Sequence, residues 1–354
     1  MCITKYLIFF CVFIAFAPTL RAGADTTIVG KKLSILPVPA IGYAPETNMY
    51  FGGVVLFSKK ITQDDRASNA KVELNYSLKN QLIIEIGWNI FTQNEKFNFK
   101  GNLQRRNFPD FYYGASERKY APAPITYDSK RTNTWVSASK QILPFTFMGA
   151  LLRYSEYWDI VTKNSAIIYE ELHEAKTYGA GVTFLIDSRS NLLNPKSGKY
   201  MEITPSLNKA IEQPYVKIIA DFRHYQRISK HWCASIRLYN EYNTANPPFF
   251  DMAIMGGDQL IRGYYLGMYR SKGLSVAQTE IRGSIYQRLG AAFFGGAGLP
   301  FWDTSSLQSL HLKPNVGAGL RYLIDKTGDV NLRLDFAHSL REGFGFYIAF
   351  GESF

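Results

Sequence analysis

The sequence predicts an all-β protein: a transmembrane antiparallel β-barrel of sixteen strands, or fourteen, with one long loop folded into its interior. Three observations lead there. Segments of about ten residues alternate apolar and polar side chains between turn residues, a period of two that belongs to strands with unlike faces. The chain is 46% hydrophobic and 15% aromatic but only 19% charged, which excludes a disordered chain or a coiled coil. Beyond the N-terminal segment no run of about 18 apolar residues occurs, which excludes a helical membrane protein of the usual kind.

Taken in order, residues 1–24 read as a secretory signal: Lys5, an apolar stretch from Tyr6 to Ala17, then Arg21 and Ala22-Gly23-Ala24, with cleavage after Ala24. Residues 25–47 hold Pro37, Pro39 and Pro45 and read as an extended periplasmic lead-in, so the barrel is expected over 48–354. Strands are expected near 48–58, 68–77, 81–91, 95–104, 109–116, 129–142, 146–158, 175–187, 199–207, 214–227, 231–242, 273–287, 290–301, 312–324, 329–338 and 344–354. The pattern is plain in Leu82, Ile84, Ile86 and Trp88 against Ile83, Glu85 and Gly87. It recurs in Leu332, Leu334 and Phe336 against Arg333 and Asp335. The segment from Pro109 to Ser116 is short; without it the count falls to fourteen.

A soluble sandwich would alternate too. What points to a membrane is an apolar face that persists in nearly every segment, aromatics near segment ends, and an opposite face of charges and glycines suited to a polar lumen. Connections are expected to alternate between short periplasmic turns (Lys79-Asn80, Leu143-Pro144, Ser229-Lys230) and long extracellular loops (59–67, 118–128, 159–173, 243–271). In hydrocarbon every backbone amide must be paired within the protein, so such a sheet must close.

Two stretches depart from generic barrel. Gly256-Gly257-Asp258-Gln259-Leu260-Ile261-Arg262-Gly263-Tyr264 lies inside the longest loop, and Asp187, Arg189, Pro195 and Gly198 punctuate a strand-to-strand connection. Glu280 and Arg282 follow the loop, Gly317-Ala318-Gly319-Leu320-Arg321 and Arg333-Leu334-Asp335-Phe336-Ala337 lie near the end, and the chain closes on alternating aromatics through Phe354. Together these motifs make the barrel from about residue 40 onward resemble the BamA/TamA-like bacterial surface antigen barrels of the outer-membrane assembly factor family. The resemblance implies that Ile261-Arg262-Gly263-Tyr264 is the tip of a loop folded into the lumen after the eleventh strand. It also implies that Phe354 belongs to a terminal signal read by the barrel-insertion machinery. Two features depart from the family: Gly296 stands where its strand carries an acid, and about twenty residues before the first strand leave no room for a POTRA domain.

A guanidinium inside a barrel needs a carboxylate or several carbonyls, because an unpaired buried charge costs several kcal/mol. Glu280, facing the lumen on the next strand with Gln278 and Arg282, is the expected partner of Arg262, with Asp335 or backbone carbonyls as the alternative. Other candidates carry less. Glu170-Glu171-Leu172-His173-Glu174 reads as a solvated acidic run, His224 and His231 flank a turn, and Cys233 alternates with Trp232 and points inward as a small buried side chain. No Gly-x-Ser-x-Gly elbow is present, so no enzyme, metal or cofactor is expected. Basic residues are scattered despite a net charge of +11, which argues against nucleic acid. The resemblance implies a Gram-negative outer-membrane location and a role in assembly or translocation of polypeptides; a plugged pore or partner-anchoring barrel is the alternative. The partners implied are outer-membrane lipid, the insertion machinery, and a separate periplasmic POTRA or chaperone protein.

Overall fold

A computed structural model describes residues 33–44, 48–61, 66–78, 80–115, 124–163, 170–210, 213–303, 311–325, 328–340 and 343–354. The expected signal over 1–24 lies outside these. The first strands are β1 (Leu33–Ala44), β2 (Asn48–Lys59), β3 (Ser68–Ser77), β4 (Leu82–Phe91), β5 (Phe97–Tyr112) and β6 (Ile125–Leu143). They continue as β7 (Thr146–Lys163), β8 (Ala175–Asp187), β9 (Gly198–Lys209), β10 (Pro214–Arg227) and β11 (Trp232–Asn243). After a long loop holding the short β12 (Ala253–Met255) and β13 (Tyr269–Ser271) come β14 (Gly273–Tyr286), β15 (Leu289–Phe301), β16 (Lys313–Asp325), β17 (Val330–Ser339) and β18 (Gly343–Phe350).

Sixteen of these form one antiparallel sheet in strict sequence order, while β12 and β13 pair only with each other inside the loop. The sheet curls until its ends meet. Ser34 on β1 donates to the Asp325 carboxylate at the end of β16 (3.1 Å), and Val54 and Leu56 of β2 pack with Val330, Ile324 and Phe350 from the last three strands. Among the described residues no backbone ladder joins β1 to β18; each pairs with one neighbour only.

The sheet has the sixteen strands expected, with two boundaries that differ from the expectation and offset each other. The lead-in expected over 25–47 contributes β1, paired with β2 along its whole length from Leu33↔Lys59 to Ala44↔Asn48. The two segments expected at 95–104 and 109–116 are one strand, β5, running through Pro109. Beyond Asn107 this strand has outgrown β4 and pairs with β6 alone, so the missing proline N–H interrupts no second ladder. The missed strand also shifts the parity of the first connections. The β3–β4 connection, expected as the short turn Lys79-Asn80, joins strand ends on the side of the barrel that also joins β5 to β6, β7 to β8 and β11 to β14, while β2 joins β3 on the opposite side, with the short turns. That second end, called the base below, also receives the residues after β18.

The distribution of side chains is inverted relative to a soluble protein. Leu152, Phe293 and Phe336 point outward and are 56–59% exposed, while their neighbours Ala292 and Asp335 are fully buried inside. Apolar residues cover the outer wall and ion pairs fill the lumen, which is the stable arrangement when the outer medium is hydrocarbon. No helix among the described residues is long and apolar enough to cross a membrane.

On a wall that faces hydrocarbon, an arginine would have no water to solvate it. Phe336→Arg is expected to destabilise the barrel by about 2–4 kcal/mol in bilayers, measured by denaturant unfolding in vesicles. Unchanged stability would mean that this face is in water.

Candidate functional site

Of the loop expected over 243–271, most lies inside the barrel, with Thr244, Asn246 and Leu266 exposed. The loop is anchored at its root by Asp251, which accepts from the Tyr215 hydroxyl and pairs with Arg153 (3.1 Å) and Lys217 (3.1 Å). Burial acts to raise the Asp251 pKa, but Lys217 and Arg153 outweigh it and hold the carboxyl below the usual range. Phe249 beside it fills an aromatic nest of Tyr112, Tyr127 and Tyr157. The β12–β13 ribbon then carries the chain to its tip. There Gly263 has φ +103 and lies so close to β17 that a Cβ would sit 2.9 Å from the Ser339 nitrogen, so this position admits glycine alone.

At the tip the Arg262 guanidinium reaches two carboxylates, Glu280 on β14 (2.7 Å) and Asp335 on β17 (2.6 Å), and stacks on the Phe294 ring of β15 at 3.3 Å. The expected partner and its alternative are thus both used. Each carboxylate is shared. Glu280 also pairs with Arg282 (3.0 Å), and Asp335 with Arg321 (2.6 Å) and Arg333 (2.8 Å). Arg321 continues to Glu352 (2.8 Å) beyond β18, and Arg333 to Asp258 (2.6 Å) in the loop. Four guanidinium groups thus meet four carboxylates, and all but Asp258 are at most 3% exposed. Such a cluster holds a fixed geometry because each charge is neutralised from several directions.

Backbone groups complete the clamp. The Arg262 carbonyl accepts from Asn315 (2.7 Å), the Gly263 N–H donates to the Tyr347 hydroxyl (2.8 Å), and the Tyr264 hydroxyl donates to the Pro314 carbonyl (3.0 Å). Ile261 is fully buried with its N–H on Gln278 (3.2 Å), and the Gly257 N–H bonds the Tyr264 carbonyl (3.0 Å), closing the tip on itself. Space for the cluster comes from small residues on the wall. A Cβ at Gly319 would meet the Asp335 carboxylate at 2.1 Å, and one at Gly317 the Phe294 ring at 2.3 Å. Gly296, which departs from the family pattern, likewise has no room: its Cβ would lie 2.4 Å from the Ala277 carbonyl.

The Asp187…Gly198 motif folds apart from this cluster but touches it. Arg189 forks onto Asp187 (3.0 and 2.8 Å), which is fully buried and also paired with Arg66 (3.2 Å). Gly198, at φ +108, lets the chain pass 2.2 Å from where a Cβ would meet the Ser188 carbonyl. The connection over 188–197 crosses the base as a strap. Asn194 and Lys196 bind Asp329 (3.0 and 2.7 Å), and the Pro195 carbonyl accepts from Arg282 (2.6 Å), joining the strap to the arginine cluster.

Phe354 does not end a lipid-facing strand. β18 stops at Phe350, Gly351 turns with φ +74, and the chain enters the base: Ser353 donates to the Asp258 carbonyl (2.9 Å), and Phe354 is 3% exposed with its carbonyl on Arg282 (3.3 Å). Phe344, Phe346 and Ile348 remain on the outer face. Cys233 is buried as expected. In the acidic run, Glu171 is not simply solvated, since Tyr112 donates to it (3.1 Å). Sequence reasoning missed Phe294, Asn315, Tyr347, Glu352 and the Asp251 anchor. Phe294 was the readable one, a lone inward aromatic before Gly295-Gly296.

Because Arg282, Arg321 and Arg333 still hold the two carboxylates when Arg262 is removed, Arg262→Ala is expected to cost the lower part of the about 3–5 kcal/mol typical of a broken buried pair. Combined with Asp335→Asn it should cost less than the sum, by about 0.5–3 kcal/mol. Amide exchange of residues 253–271 measures this; additive effects would mean that the two side chains do not interact.

No family model matches the sequence, and no curated protein matches it. Among solved structures the barrel is similar to BamA from Haemophilus ducreyi lacking POTRA domains 1–3, at 12% identity over 91% of this chain and 69% of that one, TM-score 0.55. It is also similar to CdiB from Acinetobacter baumannii (12% identity, 91% and 60% covered, TM-score 0.57) and CdiB from Escherichia coli (10% identity, 92% and 61% covered, TM-score 0.56). The chain spans about three fifths of each CdiB chain. At these identities the likeness is one of fold, and it bears out the BamA/TamA-like barrel that the motifs implied. The chain has the fold of the BamA and CdiB barrels: sixteen antiparallel strands curled around an inward loop pinned by Arg262.

Proposed function

We propose that this protein is a Gram-negative outer-membrane barrel that assists the assembly or translocation of polypeptides, by a non-enzymatic route. The observation that carries the reading is the seam. Among the described residues β1 and β18 each leave one edge without a backbone partner, and the two edges are held together by side chains alone. An unpaired edge facing hydrocarbon is costly, and it is a template on which an incoming strand can complete its hydrogen bonds. Behind the seam lies a cavity of about 670 Å³, lined by Val38, Pro39, Ile348 and Phe350 from the two edge strands and by Asp258 of the clamped loop. A separate periplasmic POTRA or chaperone protein would deliver the client to the base.

The alternative, a plugged pore, finds support in the loop inside the lumen and the strap across its base. The two readings differ in which part must move. A pore requires the loop to leave; assembly requires the seam to open while the loop stays clamped.

Joining the edges covalently separates them. In a Cys233→Ser background, Leu36→Cys with Phe350→Cys should cross-link under oxidation. Barrels reconstituted in vesicles are expected to accelerate the folding of an added unfolded outer-membrane protein several-fold, an effect lost on oxidation and restored by reduction. No acceleration, or one indifferent to the cross-link, would contradict the assembly reading.

A further inference from the structure

The base carries a second cavity, of about 200 Å³, away from the seam. It opens between two adjacent hairpins, the 228–231 turn after β10 and the 287–288 turn after β14, with the strap on its other side. Two carboxylates face it, and both are already engaged: Glu352 by Arg321 (2.8 Å) and Asn331 (2.7 Å), Asp329 by Lys196 (2.7 Å) and Asn194 (3.0 Å). Three cations at its mouth are not. The side chains of Arg227, Lys230 and Arg288 are exposed and make no hydrogen bond or ion pair with any described residue. They line the same cavity as Ser229 and Ser284, the hydroxyl of the latter tied to the His231 ring (3.2 Å). The ladder between β14 and β15 shifts register between Ser284 and Tyr286, beside the cavity.

Like charges are brought together at some cost, and this group has no acid of its own. Two guanidinium groups, an ammonium and two hydroxyls around one small space match a tetrahedral oxyanion, for which arginine forks are well shaped. A second feature of the same hairpins says what the anion is attached to. Ile228, Ile285 and Leu289 are 52–66% exposed on the outer side of these turns, with Tyr286 beside them at 65%. An apolar collar with an interfacial tyrosine next to a basic cleft is the pattern that meets a lipid at the headgroup level.

We propose that this cleft binds the phosphate of an anionic phospholipid in the leaflet at the barrel base, with the acyl chains lying on the Ile228, Ile285 and Leu289 collar. The proposal rests on the membrane placement given under the function above. It does not depend on client folding, so loss of lipid selectivity and loss of folding assistance are separate results. Binding would fix the depth of these hairpins in the bilayer and hold a lipid beside the strap.

The test is lipid retention by the purified full barrel in detergent, read by native mass spectrometry with phosphatidylglycerol, phosphatidylcholine and inorganic phosphate as probes. One phosphatidylglycerol should be retained with an affinity about tenfold or more above phosphatidylcholine. Arg227→Gln/Lys230→Gln/Arg288→Gln should abolish that preference while the barrel stays folded by heat-modifiability, since these side chains hold nothing else in place. Ile228→Asn/Leu289→Asn should weaken phosphatidylglycerol and leave inorganic phosphate unchanged. Equal retention of the two lipids, or a preference that survives the triple substitution, would overturn the proposal. Inorganic phosphate bound as tightly as phosphatidylglycerol would overturn the lipid as the source of the anion.

Discussion

A guanidinium held at the centre of the barrel between Glu280 and Asp335 sets the terms for the rest of the interior. Arg262 arrives on a loop that begins at the far end of the barrel, and its charge can be tolerated there only with carboxylates in reach from two different strands. Those carboxylates need their own neutralisation once the loop is counted, which Arg282, Arg321 and Arg333 supply, and these in turn draw in Glu352 and Asp258. One buried charge thus propagates into a cluster that spans the loop, three wall strands and the residues after β18. Its worth lies more in geometry than in net stability, since burying so many ions costs solvation that their mutual attraction only partly offsets.

The wall is adapted to that cluster. Gly317 and Gly319 on β16 leave the volume that Phe294, Asp335 and Arg321 occupy, and Gly296 on β15 lets that strand lie close against β14. The base is tied in through Arg282, which bonds Glu280, the Pro195 carbonyl of the strap and the Phe354 carbonyl. The arginine cluster lies between β14 and β18, while the seam cavity borders β1 to β4 on one side and β17 and β18 on the other.

Much of this was legible in the sequence. The period-two pattern gave the strands, and the inward parity of Glu280 and Asp335 put both acids on Arg262's side of the wall. What could not be read follows from local physics. β1 was passed over because Pro37 and Pro39 cannot donate; yet they are two residues apart, so both missing N–H groups point to the same side, which an edge strand tolerates. The last strand was carried to Phe354 because the aromatic alternation persists, whereas the single positive φ at Gly351 turns the chain inward and makes Glu352 a lumen residue. The Asp251 anchor depends on Arg153 of β7 and Tyr215 and Lys217 of β10, which the curl of the sheet brings to one side of the lumen.

The central claim is that the Arg262 cluster is what keeps the loop tip in the lumen. Thiol labelling tests it most directly: in a Cys233→Ser background, Ile261→Cys is probed with a bulky impermeant maleimide on intact outer membranes, with Arg262 present and with Arg262→Ala. The account predicts no labelling in the first case, because Ile261 is fully buried, and rapid labelling in the second. Equal labelling in both, whether fast or absent, would show that the loop is held by something other than this arginine.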